Sequence, residues 1–463
     1  MMRVAEARTD DRRWLRLAVP ALSARTMGRF RVLFGVLLFS AVLADPPLPQ
    51  PLELHRSYSW LADWPWVHAL AASAAACRVV HITTLTAIAF FTVGLLTRPA
   101  YLVGVAGILI TRLITLQQSG THDWDLPLLT LIALTLVPWG DGFSLDRYLS
   151  RAARDESRPD SSYGMAIWLP GLTLGLALAA AAYAKLTNGG IAWVLSGAVR
   201  YHFVEDSSNA PVSWGLWVAA NPPVAVLLSL GAVVIEAGFI ANIFVRSAWV
   251  RLAFGGVGLL LFGGLYLFQG VFWLPWVMLL SAFLPWPLLD RADAMRPPAR
   301  VALRLRHQIA IAFLILQQVA ASATATEVEP LISNYSMYSS TYDSPEAFER
   351  VRYRKFQQLL FTSSGVDVTA GINGIQNAPE HLLNAAEQLA RGERLDEDLI
   401  PVLSGIRRQL RSGAGIDLSR VTVDAERTGF DWHNGVFKPA ARVTIGDVPL
   451  PEADPNQPRG PAP

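Results

Sequence analysis

Between residues 165 and 184 the chain carries no charged side chain, and at residue 185 it meets a lysine. Twenty residues of helix rise about 30 Å, the thickness of a bilayer's hydrocarbon core. In lipid such a run can satisfy its backbone groups only by closing them within a helix or a sealed barrel. Similar runs recur along the chain. Hydrophobic residues make up 52% of it and charged residues 16%, against about a quarter charged in a soluble domain. The fold class expected is therefore an all-α polytopic membrane bundle. A net charge of +2 gives no basic balance pointing to nucleic acid, and no nucleic-acid partner is expected. Cys77 is the single cysteine, which excludes an intramolecular disulfide and a cysteine-based zinc cluster. Fifteen tryptophans, several beside the apolar runs, suit an interfacial belt. The arginine-rich start lacks a cleavage-site pattern, so no cleaved signal peptide is expected.

The apolar runs predict nine spans, at about 30–44, 79–96, 101–116, 126–137, 165–185, 223–245, 249–268, 271–289 and 309–324. Residues 1–26 read as an arginine-rich cytoplasmic tail with a surface helix over 14–22. With that tail inside, the inner segments hold about twenty Lys and Arg, and the outer loops before residue 326 about four. The lipid bilayer is thus the first partner expected, at the cell membrane, with the N-terminus cytoplasmic and the C-terminus extracytoplasmic. Residues 27–325 form the transmembrane domain. Residues 326–450 change character. Alternating stretches at 351–361 and 420–424 predict strands, and 379–391 and 396–411 predict amphipathic helices, giving a small extracytoplasmic α+β domain. The proline-rich end, 451–463, reads as disordered.

Charges inside spans are costly and face a bundle interior or a wet cavity. Four places stand out. Lys185 ends the fifth apolar run. Burial disfavours an ammonium ion and can turn a lysine into a base; the alternative is a side chain that snorkels to headgroup water. Arg112 and Glu236 lie inside the third and sixth spans, and both are expected to face the interior, as mutual counter-ions or as part of a site. His122 and Asp125 precede the short fourth span, where a polar loop suits entry into a cavity. His202 lies in the loop after the fifth span. Their loop spacing is a weak metal signal, and no metal is expected. No Gly-x-Ser-x-Gly turn supports a serine hydrolase.

Three short stretches, in this order, resemble the HTTM domain, the membrane region of vitamin K-dependent gamma-carboxylase. They are Arg25-Thr26-Met27-Gly28-Arg29-Phe30, Gly120-Thr121-His122-Asp123-Trp124 and Tyr183-Ala184-Lys185-Leu186 followed by Trp193. Trp276-Val277-Met278-Leu279 is similar to a late segment of that family, so the likeness covers about residues 20–290. The resemblance implies a catalytic pair, with Lys185 as the base acting on a reduced quinone and His122 assisting. Tyr183, Asp125, His202, Arg112 and Glu236 are then candidates for binding substrate. The cofactor class implied is a quinone, with carboxylase- or oxidoreductase-like chemistry. The competing expectation is a non-enzymatic scaffold whose outer domain binds a partner protein. A transporter ranks below both, since no paired broken helices occupy matching positions. Reporter fusions test the topology directly: at Arg306 they should read cytoplasmic and at Thr341 external, and the same side for both would remove the ninth span.

Overall fold

The computed structural model describes residues 19–47, 59–117, 123–150, 160–289, 305–336, 338–342, 344–352, 357–375, 377–439 and 441–452. The tail and its surface helix (apart from 19–22), His122, most of the loop 290–306 and the end after 452 lie outside these residues.

Among the described residues, seven helices are long and apolar enough to cross a membrane. They are α1 (Ala24–Ala44), α2 (Ala74–Val93), α3 (Thr97–Thr115), α5 (Ser161–Asn188), α6 (Pro222–Phe239, continued by a 3₁₀ turn to Phe244), α7 (Ala248–Gln269) and α9 (Leu305–Thr324). Two shorter apolar helices lie among them: α4 (Asp125–Ala133, extended by a 3₁₀ turn to Leu136) and α8 (Leu274–Leu280, extended to Phe283). The short fourth span expected at 126–137 is α4, whereas the eighth, expected at 271–289, is shorter than expected as α8. A helix of this size rises about 18 Å, short of the roughly 30 Å hydrocarbon core. The reason is packing: Leu126, Leu128 and Leu131 of α4, and Met278 and Leu279 of α8, are all buried, so these helices face protein and need not match the bilayer.

The axis of the bundle is α5. Of its most apolar window 83% is buried, against 28% for α6 and 17% for α7. Apolar side chains gain little by leaving lipid for protein, so close approach and buried hydrogen bonds must hold such a bundle. Gly171 and Gly175 of α5 show both. A Cβ on Gly175 would lie 2.9 Å from the Ile240 backbone, and one on Gly171 would lie 2.5 Å from the Asn242 amide. The amide of Asn242 donates to the Gly171 carbonyl at 2.9 Å, one residue past Pro170, whose ring removes a helix N–H.

Polar ties knit the two ends of the bundle. At one end Arg31 of α1 is fully buried and donates to the carbonyls of Trp139, Gly142 and Phe143. Near it the Trp168 indole donates to Ile243, and Arg251 of α7 donates to Ile167 and Ala282. At the other end Arg112 of α3 pairs with Asp45 at 2.7 Å and Asp123 at 3.2 Å, and the Trp124 indole joins Asp45 at 2.9 Å. This second end carries the C-terminal domain.

That domain is α+β. Its sheet order is β2-β1-β3-β6, antiparallel throughout, from β1 (Gln357–Ser363), β2 (Val366–Asp367), β3 (Arg420–Arg427) and β6 (Ala441–Pro449). Helices α10 (Ala378–Ala390) and α11 (Leu399–Ala414) cover one face, where Phe361, Leu382, Leu403, Ile406, Val421 and Val423 form the core. Of the strand expected at 351–361, Val351 instead closes a short helix, Pro345–Val351, capped by Ser344, and the described strand is Gln357–Ser363. A separate hairpin, β4 (Phe430–Asp431) with β5 (Val436–Phe437), reaches back to the bundle. There Phe430 and Trp432 pack with Tyr201, Tyr342 and Phe348.

Arg112 and Glu236, expected as possible counter-ions, are both buried but have different partners. Stability changes on removing Arg112 and Glu236 should therefore add. Those for Arg112 and Asp45 should miss additivity by about 0.5 kcal/mol or more, as for groups in direct contact. Thermal melts of the three single and two double variants in detergent decide this.

Candidate functional site

Lys185 is on the last turns of α5 and Glu236 is inside α6. Their side chains meet: the Lys185 ammonium donates to both Glu236 oxygens, at 2.9 and 2.8 Å. The pair is nearly dry, with 5% and 10% of the two side chains exposed. An apolar helix accepts a charge at this depth only with such a partner. The Trp193 ring lies 5.5 Å from the ammonium and adds cation–π attraction.

The pair forms part of the wall of a cavity of about 660 Å³, its open mouth included. The rest of the wall is mostly apolar, with Ala177, Ala181, Ala232, Leu261, Phe262 and Leu265 along the spans. Three further polar side chains reach it. His202 Nε2, Gln269 Oε1 and Trp276 Nε1 have no hydrogen-bond partner among the described residues, and all three residues are at least nine-tenths buried. A buried polar atom left so costs about 1–3 kcal/mol, and native proteins keep few of them. Three at one cavity are a donor–acceptor set for a bound molecule.

A strap from the segment after α9 forms another part of the wall. Tyr335 stacks edge-on against Trp276 at 5.7 Å, and Tyr338 against His202 at 5.1 Å. The strap is tied down by the Trp193 indole, which donates to the Tyr338 carbonyl, by Asn188, which donates to Ser339, and by Gln318, which donates to Ser333. Tyr335 and Tyr338 have φ values of 51° and 58°, in the left-handed region. For a residue with a Cβ this costs about 1–2 kcal/mol, which the tertiary contacts must offset. Burial, with Asp206 and Glu205 close by, pushes the Tyr338 phenol well above its usual range, so it keeps its proton.

The structure brings together Lys185, Glu236 and His202. The Nδ1 of His202 faces Glu205 at 3.8 Å. Asp125 is buried near Tyr335 without lining the cavity. Arg112 belongs to the Asp45–Asp123 cluster, away from the cavity wall. Tyr183 is half exposed and is not part of the wall. Two residues before Lys185, it sits about 200° round the helix, on a different face from the lysine. His122 lies outside the described residues. Gln269, Trp273, Tyr335 and Tyr338 were not marked by sequence reasoning. The cluster of tyrosines directly after α9 was the available signal, and it has no periodicity to flag it. No family model, no curated protein and no solved structure matches the chain.

Removing one member of the Lys185–Glu236 pair leaves the other charge buried and unpaired. Lys185→Met or Glu236→Leu alone should destabilise the protein by about 3–5 kcal/mol, and the double change by much less. Thermal melts in detergent measure this. Equal loss in the double and either single variant would mean that water already screens the pair.

Proposed function

We propose that this cavity binds a lipid-soluble molecule with a polar ring, a quinone in class, and that Lys185 and Glu236 move a proton there. The carrying observation is the buried ion pair on the wall of an apolar cavity that also presents three polar atoms unpartnered among the described residues. Among the lining residues with residual exposure, Ala181, Ala232, Leu261 and Leu265 all belong to spanning helices, which suits a ligand arriving from lipid. Lys185 accepts a proton from a ring hydroxyl of the reduced ligand once its own has passed to Glu236, 2.8 Å away, and Glu236 is then the store from which the proton leaves. The first transfer leaves the pair neutral overall; the second gives it one positive charge, which faces the ligand's new anion until Glu236 releases its proton.

The order of the short motifs supports an HTTM-type membrane domain with nine passes. Alternating ties support the same path. Arg31, Ile167, Ile243 and Ala282 meet at one end, whereas Asp45, Arg112, Asp123 and Lys185 with Glu236 lie towards the other. In this reading the N-terminal end is cytoplasmic, and the cavity and the C-terminal domain face outward at the cell membrane.

Purified protein should carry a quinone into its organic extract in near-stoichiometric amount. Ala232→Trp, which fills the cavity, should lose it. Equal quinone in both preparations would place that quinone in carried lipid and sink the reading. In complementation of a deletion strain, Lys185→Arg and Lys185→Met should both fail, since a guanidinium keeps its charge and never serves as a base. Rescue by Lys185→Arg alone would instead mean that the charge is needed and the base is not.

A further inference from the structure

A proton stored on Glu236 has to leave a side chain that is only 10% exposed. Of the other side chains described on the cavity wall, only His202 is of a type that both takes and gives protons near neutral pH. It sits on the short helix Val199–Glu205, which is wedged between the bundle and the C-terminal domain. Tyr201 packs on Tyr342 and Phe348 at 5.2 and 5.1 Å, and Phe203 on Phe268 of α7 at 5.0 Å. Glu205, three residues on, shares the face of His202. One of its oxygens lies 3.8 Å from His202 Nδ1, and the other 3.6 Å from Arg352 Nε. Exposure rises along this series, from 4% of the His202 side chain to 11% of Glu205 and 38% of Arg352.

A carboxylate beside Nδ1 favours the tautomer that carries its proton there, which leaves the lone pair on Nε2. Nε2 is the nitrogen without a partner among the described residues. A buried histidine held for packing alone would have its polar atoms satisfied. Contacts also run from the ion pair to this ring. The Trp193 ring is 5.5 Å from the Lys185 ammonium, its indole donates to the Tyr338 carbonyl at 3.0 Å, and the Tyr338 ring lies 5.1 Å from His202.

We infer that His202 and Glu205 carry protons from the cavity to the water around the C-terminal domain. The inference rests on the proton-moving role of Lys185 and Glu236. The proton given up by Glu236 crosses the cavity to Nε2 and makes an imidazolium beside the Glu205 carboxylate. Nδ1 then passes its own proton to Glu205, once the 3.8 Å between them closes to a hydrogen bond of about 2.7–3.2 Å. Glu205 gives it to water beside Arg352, whose positive charge favours the ionised carboxylate. Each proton in at Nε2 is matched by one out at Nδ1, and a turn of the ring restores the first tautomer.

The test uses the full-length protein in lipid nanodiscs, with tetramethylhydroquinone as the probe, kept free of oxygen. Quenching of the cavity tryptophans gives each variant its own saturating concentration, and a pH-indicator dye in a stopped-flow instrument reads the proton. The wild type should release about one proton per bound quinol, and His202→Gln and Glu205→Gln should each slow that release about tenfold or more. Glu205→Asp, which keeps the carboxylate, should release near the wild-type rate; slowing equal to that of Glu205→Gln would make Glu205 a structural tie and overturn the route. Wild-type release in either His202→Gln or Glu205→Gln would overturn the route and leave the role of the ion pair standing. Release that survives in the double variant Lys185→Met with Glu236→Leu, or a wild type that binds the quinol and releases nothing, would overturn the role of the pair and the route with it. If His202→Gln fails to fold, Glu205→Gln must meet the same criterion alone.

Discussion

Two opposite charges, closed on each other in hydrocarbon, organise this molecule. Lys185 and Glu236 lie on different helices, and their two bonds fix how far α6 sits along α5. Apolar contact alone cannot set such a register in lipid, because sliding one leucine past another changes little. The pair therefore works where a soluble core would use hydrophobic burial. The small residues around it, Ala177, Ala181 and Ala232, leave the space that the larger side chains fill elsewhere in the bundle. A cavity and a fixed ion pair thus arise from the same few turns of helix.

Much of this was legible in the sequence, because hydrophobicity and chain length dictate where helices form. The boundaries of α2, α3, α5, α6, α7 and α9 lie within a few residues of the apolar runs, and Ser23, Ser73 and Ser247 cap α1, α2 and α7 in the way serine does at a helix start. The length of α4 was legible from its short apolar run, but that of α8 was not. Composition cannot tell an apolar helix shielded by its neighbours from one bathed in lipid, and only the second must be long. The sheet was partly legible, with β3 recognised and β1 started too early.

The site was readable in its charges and not in their pairing. Buried Lys185, Arg112 and Glu236 announce themselves by cost, but which of them meet depends on helix order and rotation, which one sequence does not reveal. Arg112 proved to serve Asp45, a residue that reads as the end of a span. Gln269 and Trp276 carry no charge, so nothing in the sequence separates them from ordinary helix-end residues. Tyr335 and Tyr338 reach the cavity only because the chain folds back across it in a backbone conformation that tyrosine seldom takes.

The two arginine clusters have a mechanical meaning. Helix α1 is fastened at both of its ends, by Arg31 to the 139–143 turn and by Asp45 to Arg112 and Trp124. A rod clamped at both ends neither slides nor rolls, and it braces α3 and α4 with it. Helix α7 is secured differently: Arg251 holds one end, Phe268 packs on Phe203 at the other, and the part that lines the cavity, from Leu261 to Gln269, is mostly half-buried. Of the most apolar window of α7 17% is buried, against 50% for α1, so the bundle is less enclosed on the α7 side. A ligand that needs more room meets fewer packed neighbours there than against the clamped helix α1.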